Sequence, residues 1–507
     1  MTEMRHLASL AAGVPGLVSV DAVTVHVEDV THDSRNAGPG VIFAAVEGLT
    51  MDGHQFVPQA ALAGSPAALV NRRIDTEIPQ IVVSDSRTAM AYLAAEVHGR
   101  PADGLNMIGV TGTNGKTTIG AMCEAALAVA GRQVGIIGTL GARVGGEPMP
   151  LQRTTPESTD LQRLLAVMSR RGVDTVIMEV SSHAMELGRV DAISFDVVAF
   201  TNLSQDHLDF HGDMDAYFAA KRRLFDPERS THAIINVSDD AGRRLANDIS
   251  IPITTVGVGT GSADAPGGSD ESNVDTSTPD IVAEILHQSD TGSEFDIVER
   301  DVRTHVTLPL AGSFNVANAA VAFAICRQLS IAPSVIADGL GSLAPIPGRM
   351  QLVSPGADIS VIVDYAHTPD AVETVVKAGR SMTDGRLIAV LGAGGDRDHE
   401  KRARMGSGAA THADVTIVTT DNPRSEDPAT IASAVAKGAR AVSGAAVEVV
   451  LDRTEAIRHA ISAAEPGDVV LILGRGHEQG QEVMGRVIPL SDADVATSVL
   501  HDLGHTT

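Results

Sequence analysis

The run GVTGTNGKTT at 109–118 gathers glycines, hydroxyls and a lysine into one short segment. An apolar stretch at 106–110 precedes it and an apolar-periodic stretch at 117–130 follows, an order that predicts strand, loop and helix. Backbone N–H groups of such a loop, together with the helix N-terminus, can surround phosphate oxygens. Within it, Gly112, Thr113, Asn114, Gly115 and Thr118 would form the cradle, Lys116 would neutralise β/γ-phosphates and Thr117 would ligate Mg²⁺. The run is not a literal GxxxxGK[ST], because Val110 stands five positions before Gly115; Gly112 supplies the other permissive backbone. A glycine turn with a surface lysine is the bland alternative, and the strand–loop–helix register favours ATP binding over it. Glu179 closes an apolar run at 173–180, where an isolated carboxylate would cost several kcal/mol unless paired or bound to metal. His207, in NLSQDHLDFH at 202–211, follows another predicted strand end, so Glu179, His207 and Mg²⁺-bound phosphates are expected neighbours. His183 and His211 read equally well as packed or hydrogen-bonded structural residues.

Elements that could position these groups recur along the chain. Residues 1–103 carry short β-like runs at 41–46 and 81–83 and an Ala-rich helical pattern at 89–98, a small α/β domain. Residues 104–343 add buried-strand patterns at 173–180, 195–200 and 232–237, a mostly parallel sheet of P-loop type. The Gly/Ser/Asp-rich stretch 257–280 has no periodicity and is expected to be a flexible loop or disordered insert. A Pro/Gly hinge at 345–348 introduces a third region, 344–507, with strands predicted at 359–363, 387–391, 415–419 and 469–473 and helices between them, a Rossmann-like doubly wound domain. The expected fold is therefore α/β in three domains.

Composition excludes other classes. The 507 residues include no Trp, three Tyr and ten Phe, too few aromatics for a base-stacking surface. A net charge of −26 repels polyanions, so no nucleic-acid partner is expected and phosphate ligands need a locally built site. Cys123 and Cys326 are too few for a disulfide framework or a zinc cluster, which points to a reducing, cytoplasmic compartment. The N-terminal stretch lacks the basic region of a signal peptide, and no apolar run of about 18 residues exists, so no membrane insertion is expected.

The motif TGTNGKTT resembles the ATP loop of the Mur ligase and folylpolyglutamate synthetase superfamily, amide-forming enzymes of three domains. The resemblance implies roles for further residues. Lys221, in YFAAKRRLF at 217–225, would by itself be a solvated helix lysine; the resemblance implies carbamylation by CO₂, giving N6-carboxylysine, an anionic oxygen donor for a second metal. The metal set implied is Thr117, Glu179, His207 and Lys221. Asn315 and Asn318 match the asparagine motif beside the adenine, with helix capping an alternative for Asn315. Arg349 and Asp364 match motifs that reach ATP across a closing hinge, an interdomain salt bridge being the alternative. Ser34 would lie near the UDP end of a UDP-MurNAc-peptide, and Thr154, Thr155, Ser181 and Arg189 would grip its muramyl-peptide part. Leu187 stands where some relatives carry Gln.

Three C-terminal segments each follow a predicted strand: GGDRD at 394–398, DNPRS at 421–425 and GRGHE at 474–478. In the Mur family DNPR accompanies meso-diaminopimelate. Its distal carboxylate would be clamped by Arg424 with help from Arg397, while Asp421, Asn422 and Glu478 receive ammonium groups, with Pro423 and Gly474 lining the site. Taken singly, each could be a capping or surface residue. The implied reaction is ATP-dependent addition of meso-diaminopimelate to UDP-N-acetylmuramoyl-L-alanyl-D-glutamate through an acyl phosphate, a step of peptidoglycan synthesis serving cell-wall growth, cell shape and division. Rival readings are an L-lysine-adding Mur ligase, a folylpolyglutamate synthetase-like ligase and, in another class, a P-loop regulatory ATPase.

Overall fold

A computed structural model describes residues 4–48, 51–149, 151, 153–259 and 278–505. The first sheet has the strand order Leu17–Val20, Gln80–Val83, Ala68–Val70, Val41–Ala44, Asp29–Thr31, antiparallel only at its first pair. Helix Ser86–Val97 starts on Asp85, whose carboxylate accepts the Arg87 N–H. Its buried positions Ala89, Met90, Leu93, Ala94 and Val97 recur every three or four residues and so form one stripe against Leu69, Ile81 and Val83.

Among the described residues the central sheet has eleven strands. Its seven middle strands, from Val134–Gly138 through Thr175–Glu179, Asn106–Thr111, Val197–Phe200, Ala233–Asn236 and Ile253–Gly259 to Ile281–Gln288, are parallel. Antiparallel strands flank them: Gly141–Val144 and Glu147–Met149 at one edge, Ser293–Glu299 and Val302–Leu308 at the other. This last meander is absent from the sequence reading. Part of the 257–280 stretch corrects the expectation of a flexible insert. Residues 257–259 continue a strand, and Asp280 accepts hydrogen bonds from Thr255 N–H and Oγ1. Residues 260–277 lie outside the described residues.

Strand Asn106–Thr111 sits between Thr175–Glu179 and Val197–Phe200, and the chain leaves it to opposite sides. Such a reversal opens a crevice at the strands' carboxyl ends, so the turns after Thr111, Glu179 and Phe200 must meet there. Helix Lys116–Val129 packs under this crevice between helices Ser313–Gln328 and Pro333–Gly341. The approach is close enough that a Cβ on Gly339 would fall 2.3 Å from Ala126 Cα.

The third sheet runs Gln351–Leu352, Ser360–Asp364, Val469–Leu473, Leu387–Leu391, Val415–Val418, Ala446–Val449, parallel except at the first pair. Alternate residues serve opposite faces. Ala389, Leu391, Leu471 and Leu473 join Val372, Met405 and Val435, whereas Val361, Val363, Val390 and Ile472 join Ile457, Ile461, Val499 and Leu500. Helices therefore cover both faces, as a doubly wound sheet requires. Among the described residues no helix is long and apolar enough to cross a membrane.

One ion network anchors the back of this sheet. Arg453 and Asp492 are fully buried and joined by two hydrogen bonds of 2.7 and 2.8 Å, with Arg475 Nη1 3.4 Å from the same carboxylate. Arg453 also donates to the carbonyls of Leu473 and Thr420, at the strand ends that lead into two of the motif loops. Removing Asp492 strands two buried guanidinium groups. Asp492→Ala is expected to lower the unfolding free energy by about 3–5 kcal/mol, read as a shift of the urea midpoint; an unchanged midpoint would contradict this account.

Candidate active site

A cavity of about 700 Å³ opens at the carboxyl ends of the central strands, with Lys116, Glu179, Asp206, His207, Asn318 and Arg349 in its wall. Its floor is the glycine-rich loop, whose backbone only glycine can follow at two points. Gly112 and Gly115 have φ of +142° and +89°, and a Cβ there would lie 1.8 Å from Thr201 Oγ1 or 2.4 Å from Asn318 Oδ1. The turn at 201–204 secures the loop. Thr201 Oγ1 donates to Asn114 O (2.6 Å), Asn114 N–H to Asn202 Oδ1 (3.0 Å) and Ser204 N–H to Thr113 Oγ1 (3.0 Å). Thr118 is buried in the first helical turn.

Glu179 is buried at its strand end and satisfied in full view of the loop. It accepts from Thr117 Oγ1 (2.8 Å), Thr139 N–H (2.9 Å) and Thr139 Oγ1 (3.0 Å). Thr139 carried no signal in the sequence, since it is simply the residue after the strand Val134–Gly138. Arg349 spans from the hinge to Thr117, its Nη2 3.3 Å from Oγ1, with the guanidinium stacked 4.6 Å over Tyr365. Asp364, also in the cavity wall, spends its carboxylate on the Met350 and Ala366 N–H groups, which fixes the loop that carries Arg349. Burial raises its pKa.

Lys221 is not the solvated lysine its isolated sequence context suggests. It lies on helix Met214–Arg222, is 2% exposed, and donates from Nζ to Gly112 O at 2.8 Å. The Nζ of Lys116 donates to that same carbonyl at 2.8 Å and to Thr113 O at 2.8 Å. Burial and the Lys116 charge push the Lys221 pKa well below the usual lysine value, against the pull of Asp206. Burial likewise lowers that of Lys116, opposed by Glu179 and Asp206. Two buried amines side by side at the mouth of a glycine-rich loop suit an anionic ligand.

His207 adopts a left-handed backbone (φ +54°) that turns its ring into the cavity, edge-on to His183 at 4.7 Å. Burial drives its pKa down to about 4 in spite of Asp206 beside it. For Asp206, burial acts upward, but His367, His207 and Lys401 together hold it below the ordinary aspartate value. His183 stacks on Phe210 (4.2 Å) and His211 bonds Ser182 Oγ (2.9 Å), both packing roles. The sequence reading passed over Asp206, although it directly precedes His207.

Asn315 and Asn318 stand one turn apart on the buried helix Ser313–Gln328. Asn315 Nδ2 donates to Ala311 O (2.7 Å), which helps close the helix start, and its Oδ1 accepts from Asn318 Nδ2 (3.1 Å). Both line the cavity beside Gly115.

On the acceptor side, Thr155 Oγ1 donates to Glu179 O (2.8 Å) and accepts from Ser181 N–H (3.2 Å), while Ser181 Oγ caps helix Ser182–Glu186. Thr154 Oγ1 lies 3.1 Å from Thr139 Oγ1. Arg189 is already paired, 2.7 Å from buried Glu157, and donates to Thr155 O at 3.2 Å. Leu187 ends the Ser182–Glu186 helix. Ser34 opens a short turn in the N-terminal sheet, and its hydroxyl has no hydrogen bond among the described residues. Glu47, Asp52 and His54 could together face a cation, but Arg72 already pairs with both carboxylates.

The three C-terminal motif loops meet at one sheet edge. Asn422 Nδ2 donates to Glu478 Oε2 (2.7 Å), a Cβ on Gly474 would sit 2.5 Å from Asp421 Oδ2, and one on Gly395 would sit 2.0 Å from Pro423 O. Arg424 Nη1 donates to Gly395 O (2.6 Å). Burial and neighbouring Asp421 raise the Glu478 pKa, with the Asn422 hydrogen bond opposing. Arg397 departs from the expected partnership with Arg424: its ion pair is with Asp209, 3.9 Å away on the central region's loop. Gln205 of that loop contacts Asp398 and Arg404, so the two regions touch across the cavity.

Family models match most of the chain: "Mur ligase family, catalytic domain" at 26–102, "Mur ligase middle domain" at 110–326 and "Mur ligase, glutamate ligase domain" at 348–476. A UDP-N-acetylmuramoyl-L-alanyl-D-glutamate–2,6-diaminopimelate ligase of Streptomyces coelicolor is 43% identical over 96% of this chain and 95% of its own. A solved structure of a ligase of the same description superposes with a TM-score of 0.70 at 29% identity, covering 99% of this chain and all of that one. The MurF ligase of Thermotoga maritima, solved with ADP, shares the fold at a TM-score of 0.62 and 18% identity, over 94% and 97% of the two chains.

The depressed His207 pKa has a measurable consequence. Between its usual 6.5 and the folded value of about 4, the unfolded chain binds the extra proton, so stability rises with pH across that window. Unfolding free energies measured from pH 4 to 6.5 are expected to climb less steeply in His207→Gln than in the parent; equal slopes would refute the assignment.

Proposed function

The chain belongs to the Mur ligase family, and we propose that it uses ATP to join meso-diaminopimelate to UDP-N-acetylmuramoyl-L-alanyl-D-glutamate. The observation that carries the choice of amino acid is the convergence of Asp421, Asn422, Arg424 and Glu478 at one sheet edge, a cationic fork next to carboxylates and an amide. An amino acid with a second, distal carboxylate suits the planar donors of Arg424, and its ammonium groups suit Asp421 and Glu478. L-Lysine has no distal carboxylate to offer that fork.

The chemistry follows from two poor reactants. A free carboxylate is a weak acyl donor, so the D-glutamate γ-carboxylate oxygen takes the γ-phosphoryl group of ATP and ADP departs. The amine of the amino acid then attacks the acyl carbon, a C–N bond forms, the C–O bond breaks with its electrons leaving on phosphate, and the amine loses a proton. Lys116 and the N–H groups of residues 112–118 hold the phosphates, and Arg349, reaching in from the hinge, offsets charge on the transferring group. Asn315 and Asn318 flank the nucleotide end, and Thr154, Thr155 and Ser181 offer hydroxyls to the acceptor. Arg189, neutralised by Glu157, serves best as support for Thr155. Contacts from Gln205 and Asp209 bridge the two regions at the cavity rim, and tighter closure over the acyl phosphate would exclude water. The reading sets the reaction in the cytoplasm, where ATP and nucleotide-linked precursors are made, as a step of peptidoglycan synthesis.

The hydroxyl of Thr117 and the carboxylate of Glu179 are hard oxygen donors that fit Mg²⁺, with His207 in the wall of the same cavity. A magnesium ion held there would supply positive charge against the phosphates. Lys221 as an amine does not fit such a site. Its burial beside the Gly112 carbonyl and the Lys116 amine favours a neutral nitrogen able to attack CO₂, forming N–C with loss of a proton. The resulting carbamate would exchange a repelling cation for an anionic oxygen donor.

Two measurements test this reading. Phosphate release is expected to require both the UDP-muramyl-dipeptide and meso-diaminopimelate, with kcat/KM for L-lysine lower by about 10²-fold or more and L-glutamate inert. Comparable use of L-lysine would replace the reading with the lysine-adding alternative, and release without either substrate would favour a regulatory ATPase. Lys221→Ala is expected to lose about 10²-fold in kcat and to recover in part with added formate or acetate. Unimpaired activity in that variant would end the carbamate proposal.

A further inference from the structure

The family-model match stops at residue 476, yet the next segment grips the amino-acid motif at four points. Strands Gly480–Val483 and Arg486–Pro489 form a two-stranded hairpin. Arg424 lies alongside its first strand: the Arg424 N–H donates to Glu482 O (3.0 Å) and the Met484 N–H donates to Arg424 O (2.6 Å). Glu482 N–H donates to Asn422 Oδ1 (2.8 Å), and Gln481 Nε2 donates to Asp421 O (2.6 Å). This pairing is what holds Arg424 at φ +52°, a left-handed conformation unfavourable for a long side chain.

The side chain is aimed as well as the backbone. Arg424 Nη1 is tied to Gly395 O at 2.6 Å, and its Nε edge faces Glu482 Oε2 at 3.4 Å. Gly394 leaves room on the same side, since a Cβ there would come within 3.0 Å of Nη1. Among the described residues Nη2 has no protein acceptor, so the guanidinium presents its outer end to a ligand. The Glu482 carboxylate is 48% exposed, which makes the pair a weak source of stability but an effective guide for a flexible arginine. With Nε facing Glu482, the Nη2 end is the part of the guanidinium left for a ligand carboxylate.

We propose that this hairpin determines amino-acid selectivity, with Glu482 as the positioning residue that aims Arg424 at the distal carboxylate of the incoming diamino diacid. The proposal rests on the reading of the site given above. Glu482 touches no reacting atom and acts through Arg424 alone, which a double-mutant cycle can separate from a structural effect.

KM and kcat would be measured for meso-diaminopimelate and L-lysine in the parent, Glu482→Gln, Arg424→Lys and the double variant. Glu482→Gln keeps the shape of the side chain and the backbone pairing. It is expected to raise KM for meso-diaminopimelate about 5-fold, the scale of an exposed ion pair, with kcat changed less than about 2-fold and use of L-lysine unaltered. In the Arg424→Lys background the same substitution is expected to change KM no further. A KM within about 2-fold of the parent, an equal rise in the Arg424→Lys background, or a parallel loss with both amino acids would overturn the proposal while the function stands. A parent enzyme that does not prefer the diamino diacid to L-lysine would sink the functional reading and this inference together.

Discussion

Two lysine amines converge on one backbone carbonyl, and most of the central region is arranged around that fact. Lys116 and Lys221 both donate to Gly112 O from buried positions. Burial and the Lys116 charge together push the Lys221 pKa well below the usual lysine value, so the site disfavours two ammonium groups side by side. The protein therefore stores a demand for negative charge at the mouth of its glycine-rich loop. On the proposed reading a triphosphate would meet that demand at Lys116, and conversion of Lys221 to an anion would remove the conflict at its source. Glu179 and Asp206 stand close enough to moderate the repulsion without cancelling it.

The same economy of charge governs the far side of the cavity. Arg349 crosses from the hinge segment to Thr117, so on the proposed reading the residue offered to the transferring phosphate sits beside the joint between the two regions. Asp364 holds the Met350 and Ala366 N–H groups, both on the C-terminal side of the hinge, which keeps Arg349 on target. Arg397 and Asp209, with Gln205 and Asp398, join the edges of the cleft above it. Chemistry and closure thus share residues, as they must when the intermediate is prone to hydrolysis.

In the C-terminal region, buried and exposed ion pairs divide the work. Arg453, Asp492 and Arg475 lie in the interior and lock strand ends to the rear helices. Arg424 and Glu482 lie at the rim, where a weak pair can steer a side chain without trapping it. The rear network fixes where the motif loops begin, and the hairpin fixes how they end.

Much of this was legible in the residues alone. Apolar runs ending in glycine, carboxylate or asparagine marked the strand ends, because a parallel strand buried on both faces has few other readings. The loop at 109–118 announced phosphate binding because only glycine tolerates its backbone, and the order of the C-terminal motifs pointed to one sheet edge. What sequence could not supply was partnership between distant side chains. Lys221 reads as solvated until the fold sets it under Gly112; Arg189 reads as free until Glu157 meets it; Arg397 reads as a clamp until Asp209 draws it across the cleft. Local spacing determines which backbone conformations and which chemical groups exist, since those depend on neighbours a few bonds away. Which charge faces which, and hence which amine is neutral and which arginine is available, depends on contacts between segments well separated along the chain, and only the tertiary structure decides those.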